Sequence, residues 1–302
     1  MAAAAQQDMS ERPAKALAYA RLVRLPNVFT ALADIALGVF VAGRDQISWS
    51  IAALAAASAC LYCSGMVWND VFDIEQDARE RPFRPLPSGQ IAPRTAIFVA
   101  LTLMAAGWAI ACVAGGLAAI IAGALVLAIL LYDRWLKRTA LGPAGMAACR
   151  SLNVLLGMSA AEVPWGLRLH LALVVGIYVA GVTWFARREA QASDVTQLRL
   201  AAIIVLAALA LALPLPLQVS AGTASPLFPY LLVAFGCVIG WPMNRAIQKP
   251  EPGRVQRAVK GAVLGVIGLD AVLATAISGT YGLAILALLP PAIVLGWRIY
   301  ST

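Results

Sequence analysis

The sequence has few charged residues and a single histidine, and each shortage excludes a class of protein. Charged residues make up 13% of the 302 residues and hydrophobic ones 61%, whereas a soluble domain has about 25% charged and about 45–50% apolar residues. This composition excludes a soluble globular enzyme, a disordered protein and a secreted disulfide scaffold. His170 alone cannot build a multi-histidine metal site. The class that remains is a polytopic helical membrane protein.

The cysteines and the N-terminus also lack the marks of a secreted protein. All five cysteines lie in apolar stretches, where free cysteine acts as a small hydrophobe, and an odd number argues against a disulfide framework. Cys60 and Cys63 form a C-x-x-C without a second pair, which we interpret as core packing. Residues 1–21 lack the apolar core of a signal peptide. We expect them to form a cytoplasmic tail before one membrane domain over 22–302.

Ten apolar stretches have a length typical of membrane-spanning helices. A spanning helix needs about 20 mainly apolar residues, and its backbone polar groups must be bonded within the helix. The sequence therefore predicts an all-α, polytopic membrane helical bundle. The predicted spans are 26–43, 50–69, 94–114, 117–133, 143–161, 169–186, 198–218, 227–244, 258–278 and 281–297.

The basic residues are distributed unequally between the two ends of these spans. With the N-terminus in the cytoplasm, 20 of the 23 lysines and arginines fall on the cytoplasmic side. Arg44 and Arg168 fall on the opposite side, and Arg150 lies within the fifth span. The positive-inside rule therefore predicts a cytoplasmic N-terminus in a multi-pass protein of the cell inner membrane.

An acidic segment lies at the cytoplasmic end of the second span, where five of the fifteen carboxylates fall between residues 70 and 80. Asn69, Asp73 and Asp77 recur every four residues and form one stripe of a helix, with Asp70 beside it. Clustered carboxylates near a membrane need a cationic partner. Oxygen ligands without histidine suit Mg²⁺, which usually shares its coordination with water and substrate phosphates. The alternative is a solvated acidic helix end.

The following segment is basic and rich in proline. Arg79, Arg81 and Arg84 are interleaved with Pro82, Pro85 and Pro87 in a stiff loop that ends at Gly89. Arginine matches the geometry of phosphate oxygens. These residues predict a diphosphate-binding surface beside the acidic segment, and an ordinary positive-inside loop is the alternative.

These two segments together carry a family resemblance. The pattern N-D-x-x-D-x-x-x-D from Asn69, followed by R-P-x-R-P-L-P-S-G from Arg81, resembles the first aspartate-rich motif of the UbiA superfamily of intramembrane prenyltransferases. The segments 24–27 (R-L-P-N) and 132–138 (Y-D-R-W-L-K-R) are also similar to the family. The resemblance implies nine transmembrane helices around a cavity open to the bilayer, here with a tenth at the C-terminus. It further implies that Mg²⁺ bridges two acidic motifs to the diphosphate of an isoprenoid donor.

The second acidic motif of the family, usually D-x-x-x-D, is altered here. Glu189 and Ser193 fall on the two acidic positions, and Asp194 follows one residue late. Glu189 can still ligate Mg²⁺, with Ser193 or Asp194 assisting. Three accounts remain open: a weakly held second metal whose work arginine partly replaces, a different donor, or simply a basic loop. Glu189 with the R-S-L-N-V-L-L-G run also resembles a branch found in bacterial secondary-metabolite gene clusters.

Several polar residues inside the predicted spans complete the expected site. Arg150 and Asn153 lie in the fifth span, where an arginine normally faces a cavity or a partner. Asp34 and Asp270 either orient the acceptor, act as a general base or pair structurally. The expected catalytic residues are Asp70, Asp73, Asp77 and Glu189, and the expected metal ligands are these four with Asn69. The expected substrate-binding residues are Arg24, Asn27, Arg81, Arg84, Tyr132, Lys137, Arg138, Arg150 and Asn153.

The resemblance implies a Mg²⁺-dependent enzyme that transfers an isoprenoid group from a prenyl diphosphate to an unidentified acceptor within the membrane, an aromatic or other small hydrophobic compound, and releases diphosphate. The expected partners are the donor, the acceptor and the lipid bilayer, without nucleic acid. Two alternatives remain open. One is a phosphoribosyl-type transferase that acts on a polyprenyl phosphate, and the other is an inactive transporter or scaffold of the same fold.

Overall fold

The structure is a computed structural model that describes residues 15–43, 49–187, 194–220 and 222–300. The regular elements described are helical, in agreement with the all-α prediction. The α-helices are α1 (Val28–Ala42), α2 (Trp49–Phe72), α3 (Ile74–Glu80), α4 (Pro93–Ala114), α5 (Gly116–Arg134), α6 (Gly142–Gly157), α7 (Trp165–Ala186), α8 (Val195–Ala212), α9 (Phe228–Gln248), α10 (Pro252–Ser278) and α11 (Leu289–Tyr300). Short 3₁₀ segments occur at Leu25–Asn27, Leu136–Arg138, Leu215–Gln218 and Gly279–Leu288.

Eight helical runs in the described residues are long and apolar enough to cross a membrane. A multi-pass membrane protein is thereby supported, but the predicted count of nine or ten spans is not confirmed. Two of the predicted spans differ from the observed helices, and each difference has a local cause.

The predicted fifth span, 143–161, is shorter in the structure. Helix α6 has 16 residues and ends at Gly157. Beyond it, the Ser159 backbone N–H and side-chain hydroxyl both donate to the carbonyl of Leu156, at 3.1 and 2.7 Å. These bonds satisfy a carbonyl of the last turn and close the helix before residue 161.

The predicted tenth span, 281–297, is not one α-helix. Residues Gly279–Leu288 form a 3₁₀ segment and α11 follows with 12 residues, which is short of the roughly 20 residues that a span needs. Pro290 and Pro291 fall in the first turn of α11, where the missing N–H groups would have no helical acceptor. The two prolines therefore lie where a helix tolerates them, at the start of α11, and not in the middle of a span.

Helices α1 and α6 cross at glycines. A Cβ atom on Gly38 would collide with the backbone of Gly157, and one on Gly157 would lie 2.8 Å from the carbonyl oxygen of Asp34. Only hydrogen at both positions permits this approach. The crossing brings Asp34 of α1 against Asn153, one helical turn before Gly157.

Apolar side chains divide into a packed interior and an outer layer. One core joins α1 and α6 to α7, α8, α9 and α10, and a second joins α2, α4, α5 and α6. On the outside, large apolar side chains such as Phe98, Ile120 and Leu127 are exposed. Such extensive exposed apolar surface is expected where helices face lipid.

A short helix precedes α1 in the described part of the chain. Residues 15–22 are helical, and Ala18 and Leu22 pack in a small core with Val67 of α2 and Leu86. The Nε of Arg21 donates to the carbonyl of Ile299 at 2.9 Å. This helix crosses the predicted boundary at residue 21 and connects the segment before α1 to α11.

Candidate active site

The acidic segment lies where α2 ends and α3 begins, and the predicted stripe is interrupted there. Asp73 belongs to neither helix and has a turn conformation with φ −104° and ψ 8°. The i to i−4 backbone bonds nevertheless continue, from Asp73 N to Asn69 O at 3.1 Å and from Asp77 N to Asp73 O at 2.8 Å. Aspartate is common at helix ends because its carboxylate can hydrogen-bond nearby backbone groups and so competes with the hydrogen bonds of a continuous helix. The three residues therefore remain close despite the break.

Two arginines neutralise Asp70 and Asp77. The Nη2 of Arg24 lies 3.0 Å from Asp70 Oδ1, and the Nη1 of Arg84 lies 2.6 Å from Asp77 Oδ2 and 3.4 Å from Asp70 Oδ1. Both carboxylates are buried. Arg24 reaches Asp70 from a left-handed backbone conformation, φ 48° and ψ 50°, which costs a non-glycine residue about 1–2 kcal/mol. With Arg81, Arg24 and Arg84 also line an open pocket that reaches Asp70.

Two cations from the segment after α5 neutralise Asp73. The Nζ of Lys137 lies 2.6 Å from Asp73 Oδ2, and the Nη2 of Arg138 lies 3.2 Å from Asp73 Oδ1. Arg138 also donates to the carbonyl of Phe72 at 2.9 Å, at the last turn of α2. The 3₁₀ segment Leu136–Arg138 thus holds both cations against the end of α2.

Asn69 connects the two halves of this cluster and joins it to a residue that the sequence prediction missed. Its Oδ1 accepts from Arg24 at 3.2 Å, and its Nδ2 donates to Asp133 Oδ1 at 3.0 Å. Asp133 is 3% exposed and lies 3.9 Å from the Nζ of Lys137. Its sequence signal was a carboxylate four residues before Lys137 at a helix end. Four carboxylates and four cations therefore meet here, and we call them the ionic cluster: Asp70, Asp73, Asp77 and Asp133 with Arg24, Arg84, Lys137 and Arg138.

A mostly apolar cavity of about 80 Å³ opens beside the ionic cluster. It is lined by α1, α2, α5 and α6, and Tyr132 and Asp133 lie on its wall. Its apolar wall includes Leu61, Leu125 and Ile129. Asp133 therefore belongs to both the ionic cluster and the cavity wall.

A second polar group lies deeper on the same cavity wall. Arg150 and Asn153 of α6 line the cavity, and the Nε of Arg150 lies 2.9 Å from Asp34 Oδ2. The amide of Asn153 donates to Asp34 Oδ2 at 2.7 Å and accepts from the Ser58 hydroxyl at 2.7 Å. Arg150 also donates to the carbonyl of Thr30. The predicted cavity position of Arg150 and Asn153 agrees with this geometry.

Two expected site residues lie apart from the ionic cluster. Asn27 lines a different cleft with residues of α10 and α11, and its side chain makes no hydrogen bond to the ionic cluster among the described residues. Asp194 caps α8, where its Oδ1 accepts from the Thr196 N–H at 3.0 Å. A capping role uses this carboxylate locally.

Glu189 and Ser193 lie outside the described residues, as does Arg188. Arg187 is the last described residue before them, and its Nη2 donates to the carbonyl of Thr139 at 2.8 Å. Thr139 directly follows the two cations that hold Asp73. Arg187, which precedes the altered second motif, thus contacts the segment that carries Lys137 and Arg138.

The donor set of the ionic cluster fits Mg²⁺ in its chemistry. The available ligands are carboxylate oxygens and the Asn69 amide oxygen, which suit a hard cation. Within the described ranges, no group of three acidic, histidine or cysteine side chains forms a ready-made metal site. Arginine and lysine instead occupy the carboxylates of the ionic cluster. A metal would therefore bind here by replacing some of these ion pairs.

The described residues define a multi-pass, all-helical membrane protein in which a balanced ionic cluster lies beside an apolar cavity. Comparison with known families assigns it more closely, since residues 31–267 match the UbiA prenyltransferase family. The chain belongs to this family.

Curated relatives are similar over part of their length. The digeranylgeranylglyceryl phosphate synthase of Ignicoccus hospitalis is 31% identical over 156 residues, which are 51% of this chain and 50% of that protein. That of Methanopyrus kandleri is 37% identical over 125 residues, 41% of this chain and 45% of that protein. The chain thus matches about half the length of these relatives.

Solved structures share the fold. A structure described as digeranylgeranylglyceryl phosphate synthase superposes with a TM-score of 0.64 and 21% identity, over 87% of this chain and 99% of that chain. A UbiA homologue of Archaeoglobus fulgidus bound to GPP and Mg²⁺ gives 0.60 and 16%, over 85% and 99%. At these identities the likeness supports the fold and leaves the substrates open.

Proposed function

We propose that this protein is a Mg²⁺-dependent prenyltransferase that transfers an isoprenoid group from a prenyl diphosphate to a small acceptor within the membrane. The observation that carries the proposal is the ionic cluster at the edge of an apolar cavity among membrane helices. A prenyl diphosphate has the matching division, with a highly charged head and an apolar tail. The relatives named as digeranylgeranylglyceryl phosphate synthases and the neighbour bound to GPP and Mg²⁺ support the same reading.

The proposed metal ligands are Asn69, Asp70, Asp73 and Asp77, with Glu189 from the second motif. Bound there, Mg²⁺ would offset the negative charge of the diphosphate. The carboxylates are already held in place by cations, so the side chains that would surround the metal and the diphosphate are ordered before substrate arrives.

The proposed diphosphate-binding residues are the cations of the ionic cluster. Arg24, Arg84, Lys137 and Arg138, together with Arg81, would exchange contacts with carboxylates for contacts with phosphate oxygens. In the reaction the allylic C–O bond breaks, the diphosphate leaves with the bonding electrons, and the acceptor forms the new bond to carbon and loses a proton. Cationic donors that are positioned before the reaction stabilise the charge that develops on the leaving group.

The apolar cavity would protect the reactive carbon. Leu61, Leu125 and Ile129 contribute no group that could capture an allylic cation, and they keep water away from it. We place Tyr132, Arg150 and Asn153 around the acceptor in this cavity. We further propose that the ionic cluster faces the cytoplasm, where soluble prenyl diphosphates and Mg²⁺ are available.

A direct assay tests the proposal. Purified protein in lipid nanodiscs would be given GPP, Mg²⁺ and a lipid extract as the source of acceptor, and released diphosphate and prenylated products would be measured. We expect both products with Mg²⁺ and neither with a chelator. Phosphoribosyl diphosphate in a parallel reaction separates the phosphoribosyl-type alternative. Its consumption, with GPP left intact, would overturn the proposal.

A further inference from the structure

Two aspartates lie in contact inside the membrane region, away from the ionic cluster. Asp34 of α1 and Asp270 of α10 are both 0% exposed, and their carboxyl groups lie within hydrogen-bonding contact of each other. Ionised carboxylates near each other and without water are strongly unfavourable. The pair therefore needs a compensating charge, a proton or both.

The hydrogen bonds around the pair indicate where a proton lies. Asp34 Oδ2 accepts a hydrogen bond from the Asn153 amide and faces the guanidinium of Arg150. Asp34 Oδ1 and both carboxylate oxygens of Asp270 have no hydrogen-bond donor among the described residues. A carboxylate only accepts hydrogen bonds, and a protonated carboxyl also donates one. A single proton between Asp34 and Asp270 turns their contact into a hydrogen bond and gives a partner to two of the three otherwise unpartnered oxygens.

This proton also balances the local charge. With one proton shared, the two aspartates carry one negative charge, and Arg150 carries one positive charge at 2.9 Å from Asp34. The other charged residue on the cavity wall, Asp133, is compensated by Lys137 at 3.9 Å. The cavity wall is then neutral in total, and an anion placed in it would lack a counter-charge.

Arg150 retains hydrogen-bonding capacity toward the cavity. Its Nε faces Asp34 and its Nη2 donates to Thr30 O, whereas its Nη1 makes no hydrogen bond to any described residue. Arg150 lines the cavity and its side chain is 11% exposed. An arginine held on one edge by a carboxylate and a carbonyl is fixed in orientation and can donate from the other edge.

We propose that Asp34 and Asp270 share one proton, and that they position Arg150 to donate a hydrogen bond to an uncharged, oxygen-bearing acceptor in the cavity. Asp34 and Asp270 are positioning residues because they act through Arg150. The part that concerns the acceptor rests on the proposed prenyltransferase function. The shared proton stands without it.

Infrared spectroscopy of the protein in nanodiscs tests the shared proton without turnover. In the wild-type protein, aspartate labelled with ¹³C at the side-chain carboxyl should give a band of a protonated carboxyl at neutral pH. Asp270→Asn should remove that band, because Asp34 then stays ionised beside Arg150. A wild-type spectrum without the band, or a band that persists in Asp270→Asn, would overturn the proposal. Because absence of the band in the wild-type protein contradicts the proposal by itself, the proposal can fail even if the variant does not fold.

Binding of two probes tests the charge balance. Benzamide and benzoate have nearly the same shape and differ in charge, so their affinities can be compared by calorimetry in nanodiscs. The wild-type protein and Asp270→Asn should prefer benzamide. The double variant Asp34→Asn/Asp270→Asn leaves Arg150 uncompensated and should shift the affinity ratio toward benzoate by about tenfold or more, as for a charge-assisted hydrogen bond.

The matched control is the double variant Glu162→Gln/Glu251→Gln, which removes two exposed carboxylates that do not line the cavity. It should keep the wild-type preference. A shift of the same size in this control, or none in the Asp34/Asp270 double variant, would contradict the role in acceptor recognition. Failure of GPP turnover in the wild-type protein would instead contradict the proposed function and leave the infrared result intact.

Discussion

Asp73 is the residue of the ionic cluster whose two carboxylate oxygens each contact a different cation. It is placed outside both helices, and Lys137 and Arg138 hold its two carboxylate oxygens from a segment more than 60 residues later in the chain. Its neighbour Glu75 has the same charge but lies exposed on α3. The two carboxylates differ in whether they contact the cations of the ionic cluster and not in charge, which makes them a matched pair for mutation.

Replacing Asp73 by asparagine keeps the size of the side chain and removes its charge. We expect Mg²⁺-dependent diphosphate release from GPP to fall by about 10²–10³-fold, the usual effect of losing one preorganised electrostatic group. The measurement is initial rate in nanodiscs. Glu75→Gln should keep the wild-type rate. Equal losses of rate in both variants would show that the negative charge of the whole segment matters and not the position of the Asp73 carboxylate.

Arg84 should affect donor binding. Because its guanidinium contacts both Asp70 and Asp77, Arg84→Gln should raise KM for GPP by about tenfold or more through loss of a charge-assisted contact to phosphate. Titration of the rate with GPP measures this. Arg79→Gln removes an exposed arginine of α3 whose Nε donates to Glu75 O at 3.3 Å, and it should leave KM unchanged. An unchanged KM in Arg84→Gln would remove it from the diphosphate site.

At the scale of helices, hydropathy predicted most spans but not the ends of α6 and α11. Length and apolar composition identify a helix in lipid because its backbone must bond internally, so runs such as 94–114 and 117–133 closely match α4 and α5. Hydropathy does not register that Ser159 closes α6 or that Pro290 begins α11. The crossing of α1 and α6 at Gly38 and Gly157 depends on tertiary packing. No local pattern predicted it.

This crossing gives a prediction about stability. In Gly38→Ala the new methyl group would collide with the backbone of Gly157, which cannot move aside as a flexible side chain can. We expect a loss of about 1–3 kcal/mol in the free energy of unfolding, typical of overpacking, measured by denaturation in mild detergent. Gly240→Ala in α9 is the control, because its Cβ meets no atom within 4 Å. That variant should be neutral or gain up to about 1 kcal/mol of helix propensity.

Gly38→Ala should also weaken the contacts of Arg150, because the same crossing brings Asp34 against Asn153. The infrared band of the shared proton should therefore shift or broaden in Gly38→Ala and stay unchanged in Gly240→Ala. A stable Gly38→Ala protein with a wild-type band would mean that α1 and α6 separate without moving Asp34.

At the scale of the whole molecule, cations from three distant segments meet at one end of the bundle. Arg24 precedes α1, Arg84 follows α3, and Lys137 follows α5, yet all three contact the ionic cluster. The sequence predicted that these segments share a side from the distribution of charge alone. The pairing of individual cations with individual carboxylates could not be read in the same way, because it depends on how α2 and α5 pack.

Arg168 illustrates the other side of the charge distribution. The rule places it on the side opposite to most basic residues, and the structure buries it, with 6% exposed. Its guanidinium donates to the carbonyls of Val163 and Ala161 and lies 4.9 Å from the centre of the Trp165 ring. Its guanidinium therefore stabilises the turn before α7 by hydrogen bonds to backbone carbonyls. Arg168 is thus an exception to the positive-inside pattern because it has a structural role in this turn.

The predicted orientation can be measured with two cysteines introduced into a background without the native ones. Gln90→Cys lies in the exposed loop after the ionic cluster, and Thr223→Cys lies in the exposed loop between α8 and α9. If the ionic cluster faces the cytoplasm, a membrane-impermeant maleimide should label Thr223→Cys in cells whose outer membrane has been removed and Gln90→Cys only in inverted vesicles. The reverse labelling would place diphosphate binding outside the cytoplasm, where the proposed donor is not made. Labelling of both cysteines from one side would mean that an even number of spans, and not the predicted five, lies between residues 90 and 223.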